Sequence, residues 1–130
     1  MSVMRSALVL AGLLWLGSAA VANEADKPLS PLAEQLLTGW TPGKPFNCLK
    51  LTRVDGTLII DETAIVYKVT RKLIYVNRPE GGSCSVLRPG RVLVAHVSSP
   101  SLCDIDVVEV KAGSGDVGTC RLGKFIPYSK

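Results

Sequence analysis

The stretch AIVYKVTRKLIYV, Ala64 to Val76, decides the fold class of this chain. Ala64 to Val69 and Leu73 to Val76 are rich in Ile, Val and Tyr, which suit a pleated, half-buried surface. Polar Thr70, Arg71 and Lys72 separate the two runs, so the stretch predicts an antiparallel hairpin. The pattern continues on both sides. Upstream, Asp61-Glu62 marks a turn, Thr57 to Ile60 a strand, Asp55-Gly56 another turn, and Phe46 to Thr52 an alternating strand. Downstream, Pro79 to Gly82 breaks the pattern, Cys84 to Leu87 reads as a short edge strand, and Pro89-Gly90 turns the chain. Arg91 to Val97 and Ile105 to Val110 are strong strand patterns. Ala112 to Gly118 reads as a Gly-rich loop and Cys120 to Ile126 as a closing strand. Six to eight short strands at this spacing predict a mainly β fold, a small antiparallel barrel or sandwich.

Before Phe46 the composition changes. Residues 1–22 have the layout of a secretory signal peptide. Arg5 makes a basic start, ALVLAGLLWL from Ala7 to Leu16 is apolar, and Ala20-Val21-Ala22 is an A-x-A cleavage site. The apolar run is short of the roughly 20 residues that a bilayer span needs. Later apolar runs are interrupted by charge, so no membrane span is expected after cleavage. The expected product runs from Asn23 to Lys130, the size of one domain with a single core. It is expected to be periplasmic or secreted.

Residues 23–45 form a polar, Pro-punctuated lead-in. Ser30 is placed to cap a short helix with Pro31 at its first position, and Gly39 to end it. Leu32, Leu36 and Leu37 would share its apolar face, with Leu36, Leu37 and Trp40 packing on the domain edge. TPGKP, Thr41 to Pro45, reads as a linker into the β domain of residues 46–130. The whole chain carries a formal net charge of +4, and loss of Arg5 removes one of these charges. Basic and acidic residues are interleaved rather than gathered in a stripe, which argues against a nucleic-acid partner.

All four cysteines, Cys48, Cys84, Cys103 and Cys120, follow the cleavage site. An even count in a small exported domain reads as two disulfides. Zinc sites need close pairs such as C-x-x-C, and these cysteines are far apart, so no metal is expected. Spacing leaves three pairings open. The preferred one is Cys48–Cys103 with Cys84–Cys120. Cys48 and Cys103 adjoin strong strand patterns, whereas Cys84 and Cys120 both follow Gly-rich turns.

A broader likeness rests on several stretches in order. These are Gly43-Lys44-Pro45 before Cys48-Leu49, Ile59-Ile60-Asp61 with Ala64 to Tyr67, and Ile74 to Pro79. Val92-Leu93-Val94, Leu102 to Asp106 and the tail Leu122 to Tyr128 follow. Together they resemble a family of small exported proteins of sphingomonad-type alphaproteobacteria, a domain of unknown function. The resemblance covers nearly all of the chain after residue 22. It implies a Gram-negative, periplasmic setting and implies no activity. It also leans towards the Cys48–Cys103 pairing, the pair shared with family members that lack counterparts of Cys84 and Cys120.

Candidate chemistry is sparse. Asp104, Asp106 and Glu109 are the densest acidic group, and a strand would put Asp104 and Asp106 on one face. They read as a calcium edge or an acid–base pair, or more plainly as an aspartate that accepts backbone hydrogen bonds at a strand start. Lys68, Arg71, Lys72, Arg78, Arg88 and Arg91 read as edge-blunting charge or as a patch for an acidic partner. The most distinctive stretch is Tyr75 to Glu80, in which Tyr75, Asn77, Arg78 and Glu80 are the candidate binding residues. Arg78 is suited to holding a carboxylate, or to buttressing Asp104 or Asp106 within the fold. A triad of Ser98 or Ser101 with His96 and Asp104 lacks a nucleophile elbow. Gly113-x-Gly115-x-x-Gly118 mimics a dinucleotide fingerprint without its βαβ context.

No catalytic residues and no cofactor are expected. The residues point to an exported, non-catalytic envelope domain with a binding or structural role. Its partner is unknown, an envelope protein being the class considered. One alternative is a proteinaceous inhibitor of an exported hydrolase, using a loop from Pro79 to Ser85 stiffened by Cys84. A small hydrolase built on His96 and the aspartates is the other.

Overall fold

The hairpin of Ala64 to Val76 lies in the middle of a five-stranded antiparallel sheet. The computed structural model describes residues 28–113 and 115–130, together with Gly12 and Gly17. Arg5, the Ala20-Val21-Ala22 site and the apolar run, apart from Gly12, lie outside the described residues.

Among the described residues one α-helix and ten strands follow in chain order. They are α1 (Pro31–Leu36), β1 (Thr41–Pro42), β2 (Cys48–Lys50), β3 (Gly56–Asp61), β4 (Ala64–Thr70) and β5 (Leu73–Asn77). Then come β6 (Val92–Ala95), β7 (Ser101–Cys103), β8 (Val107–Ala112), β9 (Gly115–Arg121) and β10 (Phe125–Ser129). The large sheet has the order β1-β10-β5-β4-β3, a second sheet β6-β8-β9, and a third β2-β7. The order of the large sheet ends at β1 and β3, so it does not close into a barrel.

Residues 64–67 are all buried, because both faces of β4 are covered. Ile65 and Tyr67 point with Ile59 into a core shared with Val108, Val110, Cys120, Leu49, Leu102 and Phe125. Ala64 and Val66 point with Ile60, Ile74, Val76 and Tyr128 into a second core under the helix. The large sheet is thus the middle layer, with the smaller sheets on one side and α1 on the other.

The cysteines pair as Cys48–Cys103 and Cys84–Cys120. Cys48 faces Cys103 across the β2–β7 ladder. The strand β7 starts at Ser101, directly after Pro100.

Several local readings are corrected. Phe46 to Thr52 is strand only at Cys48–Lys50, then winds into a 3₁₀ turn at Leu51–Arg53. Cys84 to Leu87 is a turn closed by the Leu87 N–H on the Cys84 carbonyl at 3.0 Å, not an edge strand. The supposed Gly-rich loop is a hairpin in which Ala112 pairs with Gly115. Gly113 lies in the turn, while Gly115 and Gly118 sit on a paired β9, with Gly118 packed close to Val86. Cys120 to Ile126 is therefore the end of β9, a short connection and the start of β10. Thr41–Pro42 pairs with β10 instead of serving only as a linker.

The helix forms where its caps place it. Ser30 Oγ accepts the Ala33 N–H at 3.1 Å, and Gly39, with φ +87°, ends the turn. Its buried face is Ala33 and Leu37, an i,i+4 pair, while Leu32 and Leu36 are 46 % and 50 % exposed. The expected face was rotated because leucine content, not the small Ala33, marked it. A helix this close to the sheet needs a small residue at its contact.

Candidate binding cleft

Four connections meet at one end of the large sheet. The loop after β5 carries Arg78, Pro79, Glu80 and Gly81; the β7–β8 turn brings Asp104 and Ile105. The β9–β10 connection brings Leu122, Gly123 and Lys124, and Pro45 comes from the segment after β1. Between them lies an open cleft of about 510 Å³, with Ile126 also on its wall. Its walls are mostly apolar. Glu80 and Arg121, both in its lining, pair at 3.4 Å, and Asp104 and Lys124 add one charge of each sign.

Backbone bonds, a buried amide and a disulfide hold these walls. Pro45 has no N–H to donate, so the segment that pairs with β10 at Gly43 leaves it before re-pairing at Phe46. The Phe46 N–H donates to the Phe125 carbonyl at 2.9 Å and the Phe125 N–H to the Phe46 carbonyl at 3.0 Å. Asn77 is fully buried. Its Nδ2 donates to the Gly123 carbonyl at 2.7 Å, and its Oδ1 accepts the Gly123 N–H at 3.0 Å. Cys84–Cys120 ties the segment after Gly82 to the end of β9.

The four sequence candidates separate into three places. Tyr75 is half-buried and packs edge-on against Phe46, with centroids 5.0 Å apart. Asn77 lies out of solvent's reach and serves the Gly123 turn. Arg78 and Glu80 reach the cleft. Arg78 does not have Asp104 or Asp106 among its described partners. Its Nε donates to the Thr63 carbonyl at 2.9 Å, and a terminal nitrogen donates to the Pro28 carbonyl at 3.3 Å.

Arg78 thereby joins a network that sequence reading missed. Asp61 Oδ1 accepts from the Thr63 N–H at 2.8 Å and from the Thr63 hydroxyl at 2.6 Å. Its Oδ2 accepts from the hydroxyl of Ser30, the cap of α1. Burial alone would raise the Asp61 pKa. Hydrogen bonds from Ser30 and Thr63, with the Arg78 charge, outweigh it and hold the carboxyl below its ordinary value. Burial lowers the Arg78 pKa, opposed by Tyr128 and Asp61, and raises that of Tyr128, opposed by Arg78. The signal available in the sequence was Asp61-Glu62-Thr63, an aspartate bonding its own backbone two residues on.

The acidic residues are dispersed. Asp104 and Ile105 form a turn rather than a strand, so Asp104 and Asp106 do not share a strand face. Asp106 Oδ2 accepts the Cys103 N–H at 2.7 Å, a bond that shapes the entry to β8. Glu109 instead meets His96, Oε2 to Nε2, at 3.2 Å on an exposed surface. Among the described residues no group of three or more His, Cys, Asp or Glu gathers to hold a metal ion. Arg91 donates to the Val86 carbonyl at 2.7 Å, while Lys68, Arg71 and Lys72 stay exposed at the β4–β5 turn. No helix among the described residues is long and apolar enough to cross a membrane.

Comparison with protein-family models, with curated proteins and with solved structures finds no match for this chain.

Proposed function

We propose that this chain is an exported, non-catalytic domain that binds a small amphipathic ligand in the cleft beside Pro79 and Gly123. The observation that carries this reading is a cleft of about 510 Å³ whose mainly apolar wall is rimmed by Glu80, Asp104, Arg121 and Lys124. Ligand sites combine an apolar body with a few placed polar groups in this way. The walls are braced before any ligand arrives, by Cys84–Cys120 and by the Asn77–Gly123 bonds, which lowers the ordering cost of binding. Among the described residues the lining contains no Ser, Thr, Cys, His or Tyr, so these supply no nucleophile of those kinds.

Export is supported by the signal-like residues 1–22 and by two disulfides, which persist in oxidising compartments. The resemblance to a family of small exported proteins of sphingomonad-type bacteria implies a periplasmic setting, and an envelope component is the natural source of the ligand.

The test is a nuclear magnetic resonance screen of small amphipathic fragments against the oxidised, isotope-labelled protein. Shifts gathered on Gly81, Ile105, Gly123 and Lys124 are expected. Shifts gathered elsewhere, or none across the set, would remove the cleft as the site.

A second reading has one observation in its favour. The Pro79 to Ser85 loop is stiff, held by the Gly82 N–H on the Pro79 carbonyl at 3.0 Å, the Cys84 N–H on the Glu62 carbonyl at 2.8 Å, and the disulfide. Stiff loops suit inhibitors of hydrolases. Pro79 and Gly82 are buried, however, so only Glu80, Ser83 and Ser85 stand out from it. Loss of inhibition on changing Glu80, with the fold intact, is the result this reading requires.

A further inference from the structure

The two disulfides stand beside different walls of the cleft, and their surroundings differ. Cys120 is 2 % exposed within the inner core, and the half-buried Cys84 packs against that core. Cys48 is exposed, Cys103 is half-buried, and neither belongs to a core cluster. The bond between them lies across a ladder of three residue pairs, the whole of the two-stranded sheet. On its inner side that ladder is anchored by Leu49 and Leu102, both buried in the core, and by the Leu51 N–H on the Pro100 carbonyl at 2.7 Å. On its outer side lie the cleft residues Pro45, Asp104 and Ile105. There the backbone tie between the two segments is the Asp104 N–H on the Asn47 carbonyl at 2.9 Å.

We propose that Cys48–Cys103 is a reducible latch on this wall, opened by a dithiol reductant while Cys84–Cys120 stays closed. Thiol–disulfide exchange depends on access of a thiolate to a sulfur. A thiolate of the reductant attacks Sγ of Cys48, the exposed member of the pair, forming a mixed disulfide. The Cys48–Cys103 bond breaks, its electron pair leaves on Cys103 Sγ, and that sulfur takes a proton from water. The second thiolate of the reductant then attacks its own sulfur in the mixed disulfide. Cys48 is released as a thiol and the reductant leaves as a cyclic disulfide, having supplied both electrons. The core contacts of Leu49 and Leu102 keep the ladder in place, so the change is local to Asp104, Ile105 and Pro45. The effect on ligand rests on the cleft reading above; the order of reduction does not.

The experiment is graded reduction of the oxidised protein with dithiothreitol, followed by alkylation and peptide mapping. Amide hydrogen exchange is followed on the same samples. Cys48 and Cys103 are expected to alkylate roughly tenfold faster than the other pair, or more. In that half-reduced protein the Asp104 amide should lose protection and the Gly123 amide keep it. Simultaneous reduction of both pairs, or earlier reduction of Cys84–Cys120, overturns the proposal, as does retained protection at Asp104. Cys48→Ser with Cys103→Ser reproduces the half-reduced state without reductant and should show the same exchange pattern. Fragment binding that persists in a half-reduced protein with Asp104 unprotected would leave the latch standing and count against the cleft as the ligand site.

Discussion

The carboxamide of Asn77 closes a two-way hydrogen bond with the backbone of Gly123, at 2.7 Å through Nδ2 and 3.0 Å through Oδ1. The end of β5 and the β9–β10 connection, 46 residues apart in sequence, are thereby held as one wall of the cleft. The fit tolerates no side chain at 123: a Cβ there would lie 1.9 Å from the Arg78 carbonyl oxygen.

Asn77→Ala should therefore cost about 2–3 kcal/mol, since both Gly123 groups lose their partner in a buried site. Gly123→Ala should cost at least as much, because backbone rather than a flexible side chain must move. The two changes act on one contact, so the double variant should fall short of their sum. Urea unfolding of the four proteins in the cycle checks this. Additive losses would show that the two residues act separately.

Asp61 predicts an acid dependence with a definite sign. Its carboxyl is held below the ordinary 3.8 in the folded protein, so the folded state binds its proton less readily than the unfolded chain. The contribution to stability is complete above that ordinary value and is lost as pH falls through the lower folded value. The stability gap between the native protein and Asp61→Asn should be widest at neutral pH and shrink below about pH 3.8. Unfolding curves at a series of pH values measure it. A gap that does not change with pH would show that the charge of Asp61 is immaterial.

The rotated helix face separates two neighbouring leucines. Leu37 is 7 % exposed in the outer core, whereas Leu36 is half exposed. Leu37→Ala should cost about 2–4 kcal/mol, and Leu36→Ala should stay within about 0.5 kcal/mol. Equal losses in denaturant titrations would place the helix in a different rotation.

Each disulfide closes a long loop, with sequence separations of 55 for Cys48–Cys103 and 36 for Cys84–Cys120. Chain entropy assigns each about 4 kcal/mol, with little to choose between them. Removing Cys84 and Cys120 together should cost more than that in thermal unfolding, because it also opens the inner core. Removing Cys48 and Cys103 should stay near the chain-entropy value. The reverse order would mean that burial of the bond is not what distinguishes them.

Charge and apolar contact in the cleft can be tested apart. Ile105 is 75 % exposed, so Ile105→Asp should leave stability nearly unchanged and weaken fragment binding about tenfold or more. Lys124→Glu should shift selection away from anionic fragments with the fold intact. Binding unchanged in both variants, measured by titration, would exclude this wall.

The strands were legible because their signals are local. The turn-bounded run Thr57 to Ile60 and the β-rich runs of Ala64 to Val76 needed no knowledge of what lay above or below the sheet. The caps Ser30 and Gly39 were legible for the same reason. Gly115 to Gly118 was misread because glycines usually mark loops, and the pairing that makes β9 a strand comes from β8. Asn77 and Arg78 stood out as polar residues in an apolar context, but the sequence held no sign that they serve Gly123, Thr63 and Pro28.

The sequence alone determined the mainly β fold and placed the turn that starts α1, through side-chain period and turn chemistry acting within a few residues. It also favoured the cysteine pairing that the structure contains. Only tertiary structure decided the three-layer arrangement, the buried face of the helix and the cleft. Pro45, Pro79, Asp104 and Lys124 each sit in a different connection and meet only when the sheets are stacked. No local pattern encodes a cavity whose walls come from four separate segments, because its shape is a property of their packing.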